Sequence, residues 1–211
     1  METLILKTDG MSAYGLQTFD VQRRVNNFPT RSAIIGMLGA ALGVNREDHS
    51  QIYSLSKKLQ IAVQVNQTGV KIVDYHTVQN FRSPIGKIQK GTKPTYREYW
   101  CDSEHSFALT ADEGTIRELV TAVKKPVYTL FQGRKSCPIY RPLFESIVDN
   151  DNPVNALLDA GFGGQIYSDV PGNHQVAVGQ VRDLTTDSAR KKAIRSVYIC
   201  GIGGEDESLN G

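Results

Sequence analysis

Between positions 131 and 138 the chain reads Phe-Gln-Gly-Arg-Lys-Ser-Cys-Pro, an aromatic ring, a glycine, two cations, a hydroxyl and a proline in close succession. The chemistry these types share is phosphate binding. Gly133 lets a backbone come close, Arg134 and Lys135 bring charge, and Ser136 can donate a hydrogen bond. A nucleotide-binding P-loop is excluded by spacing, because it needs a glycine immediately before Lys-Ser and Arg134 stands there. An unpaired nucleic-acid strand remains, with Phe131 as a platform on which a base can stack. Tyr75 and His76, with Lys87 and Lys90 further along, are the types that metal-free RNA cleavage uses: one group takes the 2′-hydroxyl proton and another protonates the leaving oxygen. Cys101 and His105 are four apart, and without a second pair they are weak grounds for zinc. No Ser-His-Asp or paired-carboxylate constellation stands out.

Composition narrows the partner. At 211 residues the chain can bury a sizeable core without disulfide or metal staples, so no cofactor is expected. Its 40% hydrophobic and 22% charged residues are ordinary for a water-soluble fold, and no apolar run reaches the ~20 residues of a membrane span. The opening Met-Glu-Thr-Leu-Ile-Leu-Lys has no basic flank and reads as a first strand rather than an export signal, so a cytoplasmic location is expected. Three widely spaced cysteines fit reduced, mostly buried thiols. The net charge is only +2, yet 71–100 holds six Lys/Arg against two acids, 121–141 five against none, and 142–180 no cation and five acids. Such segregation predicts one basic face, the footprint of a protein that tracks a phosphate backbone. The competing reading is solvated charge that happens to cluster.

The elements that must position these groups follow from periodicity. Residues 3–7 read as a strand, followed by a long connection that includes the adjacent Arg23 and Arg24. Thr30 is placed to cap a helix whose apolar face is Ile34, Ile35, Met37, Leu38, Ala41 and Leu42, with Gly36, Gly39 and Gly43 allowing that face to press on a sheet. A second helix, 50–59, precedes strands at 60–65 and 70–73. A strand at 106–109, a helix at 112–125 and a strand at 127–130 repeat part of that order. The pattern predicts an α+β fold with a ferredoxin-like, RNA-recognition-type core over 1–145. An aromatic and basic insertion divides the halves, and a small β-rich part fills 146–211, with short strands near 165, 175 and 196 and an acidic, frayed tail.

Several stretches together resemble the CasD family, a subunit of the type I-E CRISPR surveillance complex Cascade. They are Phe28-Pro29-Thr30-Arg31-Ser32 with Gly36-Met37-Leu38-Gly39-Ala40, Asp74-Tyr75-His76-Thr77-Val78, Arg97-Glu98-Tyr99-Trp100-Cys101-Asp102, and Gly133-Arg134-Lys135-Ser136-Cys137-Pro138, and with the intervening order they cover most of 3–168. The resemblance implies a non-catalytic RNA-binding subunit with a ferredoxin-like core and a protruding hairpin thumb. Such a subunit grips the 5′ handle of the guide RNA and caps the assembly in defence against foreign nucleic acid. Its implied neighbours are the Cascade backbone subunit, the Cascade large subunit and, through the complex, target DNA. On this mapping 74–98 is the thumb, Arg97 meets handle nucleotides at its base, Phe131 stacks a handle base, and Arg134, Lys135 and Ser136 bind phosphates. Arg31 and Ser32, at a helix N-terminus, would form a second phosphate contact. Lys87, Lys90 and Lys93 would attract the backbone non-specifically. The alternative, an endoribonuclease that processes repeat RNA, rests on Tyr75 and His76; the resemblance favours a structural hydrogen bond for His76 instead.

Overall fold

A computed structural model describes residues 1–16, 21–83, 85–186 and 192–201. In chain order these form β1 (Glu2–Ser12), β2 (Gln22–Arg23), α1 (Arg31–Leu42), α2 (His49–Lys58), β3 (Gln60–Gln67), β4 (Val70–Arg82), β5 (Ile88–Ala111), α3 (Glu113–Lys124), β6 (Phe144–Val148), α4 (Pro153–Asp159), β7 (Gln165–Ser168), β8 (Gln175–Thr185) and β9 (Lys192–Cys200). The helices start where short polar side chains can take up free N–H groups. Thr30 Oγ1 accepts from Ala33 N at 3.3 Å, Asp48 from Gln51 N at 3.0 Å, Asp112 from Thr115 N at 2.9 Å, and Asn152 from Val154 N at 2.9 Å. α1 ends at Gly43, whose φ of +78° suits the left-handed cap that glycine adopts without strain. Among the described residues no helix is long and apolar enough to cross a membrane.

The fold is mixed α/β, and its strands form one sheet in the order β6-β1-β5-β3-β7-β9-β8, with β2 and β4 attached to β5 off that path. Every neighbour along the main path is antiparallel. Leu4 and Leu6 of β1, Ile61 and Val63 of β3 and Phe107 and Leu109 of β5 face a core closed by Ile34, Ile35 and Leu38 of α1 and Ile116, Leu119 and Val123 of α3. Fully burying such a side chain contributes about 1.5–3 kcal/mol, so a single Leu109→Ala change would cost about 2–5 kcal/mol. On the opposite face Ala62, Ala108 and Ile166 are covered by Val154 and Leu157 of α4. With both faces buried, Leu4-Ile5-Leu6 reads as a continuous apolar run rather than an alternation.

β5 organises the molecule. Its second half lies in the sheet between β1 and β3, while its first half leaves the sheet and pairs with β4 as a two-stranded ribbon. The exit is marked by Asp102 at φ +55° and Gly69 at φ +77°, and a Cβ at Gly69 would overlap the Cys101 carbonyl oxygen. At ~3.3 Å per residue the 13 residues of β4 reach roughly 40 Å.

Several expectations need correction. The segment 127–130 is not a strand: the Val127 and Tyr128 N–H groups donate to the Ala41 and Ala40 carbonyls at 3.0 and 3.2 Å, satisfying the free end of α1. The strand that flanks β1 on the side away from β5 is β6, beyond the 131–138 loop. The projecting insertion is a paired hairpin of β4 and β5 that begins at Val70 rather than at Asp74. Gly36 is exposed with nothing near a would-be Cβ, so close packing does not explain it, whereas Gly39 does approach Val44 and Ile52. A boundary between 145 and 146 would cut β6, and β7, β9 and β8 continue the same sheet. The acidic tail 204–211 lies outside the described residues.

Candidate nucleic-acid interface

The 131–138 loop is a built structure. Gln132 is fully buried, its Nε2 donates to the Asp9 carbonyl at 2.6 Å, and its backbone C=O accepts from Ala13 N at 3.0 Å. Tyr14 Oη donates to Gln132 Oε1 at 3.4 Å, and burial pushes the Tyr14 phenol well above its ordinary pKa. Two bonds close the turn, Gln132 N to Cys137 O and Cys137 N to Arg134 O, both 2.8 Å. Gly133 sits at φ +85° against the Ala13 carbonyl, where a Cβ would overlap the oxygen, so the glycine serves close approach to the protein's own backbone. Lys135 and Ser136 are exposed on the turn, and Phe131 is half-buried at its start.

Arg134 ties this loop to β2 and β5. Its guanidinium donates to Glu98 O at 3.0 Å and Arg23 O at 3.3 Å and lies 4.8 Å from the Tyr99 ring centroid. β2 runs parallel to β5 with Gln22 beside Tyr96 and Arg23 beside Arg97. Arg97 Nε is buried and has no hydrogen-bond partner among the described residues. One concavity is lined by Ala13, Gly15, Leu16, Arg23, Arg24, Gly133 and Arg134, and a second by Gln22, Arg23, Arg24, Lys71, Val73, Tyr96 and Glu98. Sharing both arginines, they make a basic groove along one edge of the molecule. Glu98 is the acid in it, and its carboxylate accepts from Val25 N at 3.1 Å and lies 3.5 Å from Lys71 Nζ. Cations with neighbouring tyrosines in an open groove suit an unpaired, phosphate-bearing strand. The sheet face free of helices in RNA-recognition domains is covered here by α4, so the groove lies at the edge instead.

Phe131, Arg134, Lys135 and Ser136 share one turn, which Arg134 ties to β5 next to Arg97. Strand alternation points the Arg97 side chain away from the Tyr96 and Glu98 face and it lines neither concavity, and Arg31 and Ser32 lie elsewhere. Arg31 is only 6% exposed, its Nη2 donates to Ser56 O at 2.6 Å and Leu59 O at 2.9 Å, and its guanidinium pairs with Asp169. The helix N–H expected to hold phosphate already has an anion: Arg31 N donates to Asp183 Oδ2 at 2.6 Å, and Arg195 holds that carboxylate at 2.6 and 3.1 Å. The phosphate role for Arg31 is therefore replaced by a structural one; burial, with Arg195 nearby, lowers its pKa to about 10. Ser32 beside it is half-buried, 3.4 Å from Thr30 Oγ1. Lys87 and Lys90 are exposed toward the ribbon tip, and Lys93 lies 5.4 Å from the Phe81 ring. Tyr75 and His76 point to opposite faces, as adjacent strand residues must, and His76 meets Asp74 at 2.5 Å. His105 is buried with Nε2 on Asn27 O at 3.2 Å, and among the described residues no group of three or more candidate ligands could hold a metal. Sequence reasoning missed Gln22, Lys71 and the Arg23–Arg24 pair as groove residues. The adjacent arginines were a signal; the pairing of β2 with β5 was not legible.

Comparison with known proteins adds the lineage. A family model described as CRISPR-associated protein (Cas_Cas5) matches residues 3–198, past the last stretch that carried the resemblance. The CRISPR system Cascade subunit CasD of Escherichia coli (strain K12) is 39% identical over 223 aligned residues, covering 97% of this chain and 98% of that one. The fold is shared with a CRISPR RNA-guided surveillance complex at TM-score 0.71 and 22% identity, over 94% of this chain and 88% of the other. It is also shared with a crystal structure of a Cas protein at TM-score 0.67 and 24% identity, over 95% and 94%. Matched along nearly its whole length, the chain belongs to the CRISPR-associated Cas_Cas5 proteins and, within them, to the CasD family.

Proposed function

We propose that this chain is a non-catalytic RNA-binding subunit of a type I-E Cascade, gripping the 5′ handle of the guide RNA and capping one end of the assembly. The observation that carries the reading is the basic groove, in which Arg23, Arg24, Lys71 and Arg134 converge from three separate parts of the sequence beside an exposed tyrosine. The order β6-β1-β5-β3, with α1 and α3 on one face, supports a ferredoxin-like core. The ribbon is the thumb, with Lys87, Lys90 and Lys93 attracting the RNA backbone, and the 131–136 loop places Phe131 for stacking and Lys135 and Ser136 for phosphate. The backbone subunit, the large subunit and the target DNA it handles are the neighbours. Binding of a repeat-derived handle RNA across a salt series tests this. Replacing Arg23, Arg24 and Lys135 by alanine should weaken binding and flatten the slope of log K against log salt by about 0.7 for each phosphate left unneutralised. An unchanged slope would overturn the reading. So would a discrete cleavage product in chelator that disappears in His76→Ala, the result expected of an endoribonuclease.

A further inference from the structure

We infer that Tyr75 and Tyr96 form a base-stacking platform on one face of the ribbon, with Gln22 beside it as the group that meets the base edge. The inference rests on the reading that the groove holds single-stranded RNA, and it says where in the groove a base is held.

Tyr75 and Tyr96 are register partners on β4 and β5, and Gln22 of β2 is the register partner of Tyr96 on its other side, so the three side chains form a row. Strand alternation puts Lys71, Val73, Glu98 and Trp100 on the same face. The tyrosines are 59% and 41% exposed, with ring centroids 5.5 Å apart and planes at 61°. That angle leaves ring surface uncovered. A cross-strand aromatic pair also stabilises a ribbon, which alone would account for two rings. It does not account for what rims them: Lys71 Nζ stands 4.8 Å from the Trp100 centroid, and Arg24 Nη2 reaches Gln22 Oε1 at 3.5 Å. A flat π-surface, an amide with donor and acceptor, and flanking cations match the three parts of a nucleotide: base face, base edge and phosphate. A base stacked inside a duplex has both faces covered by its neighbours and could not use the platform, so the ligand is an unpaired nucleotide of the handle strand.

The test uses the full chain and handle RNA carrying 2-aminopurine at one position at a time. The wild-type protein should quench fluorescence at one or two positions. Tyr75→Ile and Tyr96→Ile introduce β-branched residues that suit a strand, so the thermal midpoint should hold while that quench disappears and affinity falls about tenfold. Tyr96→Phe should retain the quench, which separates stacking from any loss of fold in the isoleucine variants. If wild type binds handle RNA and the isoleucine variants keep both quench and affinity, the platform is wrong and the function stands. If those variants bind RNA normally but lose a neighbouring Cascade subunit, the face docks protein and the inference fails. Absence of handle binding by the wild-type protein would overturn both.

Discussion

Arg31→Met removes a guanidinium and keeps an apolar stem of similar length, which makes it the sharpest way to separate a structural arginine from an RNA-binding one. In the folded chain the guanidinium satisfies the Ser56 and Leu59 carbonyls and pairs with Asp169, all in a site where Arg31 is almost wholly buried. Breaking a buried pair from one side costs about 3–5 kcal/mol, because the partner stays buried without compensation. At ~2–4 °C per kcal/mol for a chain of this size, the melting midpoint should fall by roughly 6–20 °C. Urea denaturation of wild type and variant measures the stability loss. Handle-RNA binding across a salt series, run where both proteins are folded, should show the same slope for the two. A variant of unchanged stability whose salt slope is shallower by about 0.7 would show that Arg31 reaches phosphate and would refute the buried network.

Three further outcomes follow from particular residues. Gly133→Ala forces a Cβ into the Ala13 carbonyl at positive φ, so it should weaken handle binding as much as Arg134→Ala while leaving the sheet core folded, as circular dichroism and a binding titration would reveal. Burial holds the His105 imidazole down to about 4, against ~6.5 when exposed. Between those values the unfolded chain takes up a proton that the folded chain refuses. Stability is therefore full above pH 6.5 and lost as pH falls toward 4, by up to about 3 kcal/mol; urea titrations at several pH values should show the loss, and His105→Gln should abolish it. Burial pushes the Cys137 and Cys200 thiols up, whereas Cys101 is partly exposed. A thiol reagent should therefore label Cys101 first and the other two only on unfolding, as peptide mass mapping would show.

What the sequence made legible was local. Thr30, read as a cap, takes up the N–H three positions on and marked the start of α1. The 131–138 run stood out by composition as a candidate phosphate-binding loop, and in the fold it is a hydrogen-bonded turn. What stayed hidden depends on distant pairing. Asp183, 152 positions from Arg31, neutralises the α1 N-terminus that sequence reading offered to phosphate. β2 is two residues long and α4 seven, too short to show a period, yet β2 builds one wall of the groove and α4 closes the sheet face. Val127 and Tyr128 have strand-like types, but their N–H groups serve the α1 carbonyls. The thumb aromatics were visible as a group; which of them share a face was set by the β4–β5 register.

Photocrosslinking the handle most directly tests whether the edge groove holds the guide's 5′ end. A repeat-derived RNA with 4-thiouridine at successive handle positions would be irradiated with the intact protein, and the crosslinked peptides identified by mass spectrometry. Adducts should concentrate in the peptides that carry Arg23 and Arg24, Tyr96 and Arg97, and residues 131–136. Adducts confined to α4 or to the surface around Arg31 and Asp183, with none at the groove, would contradict the assignment.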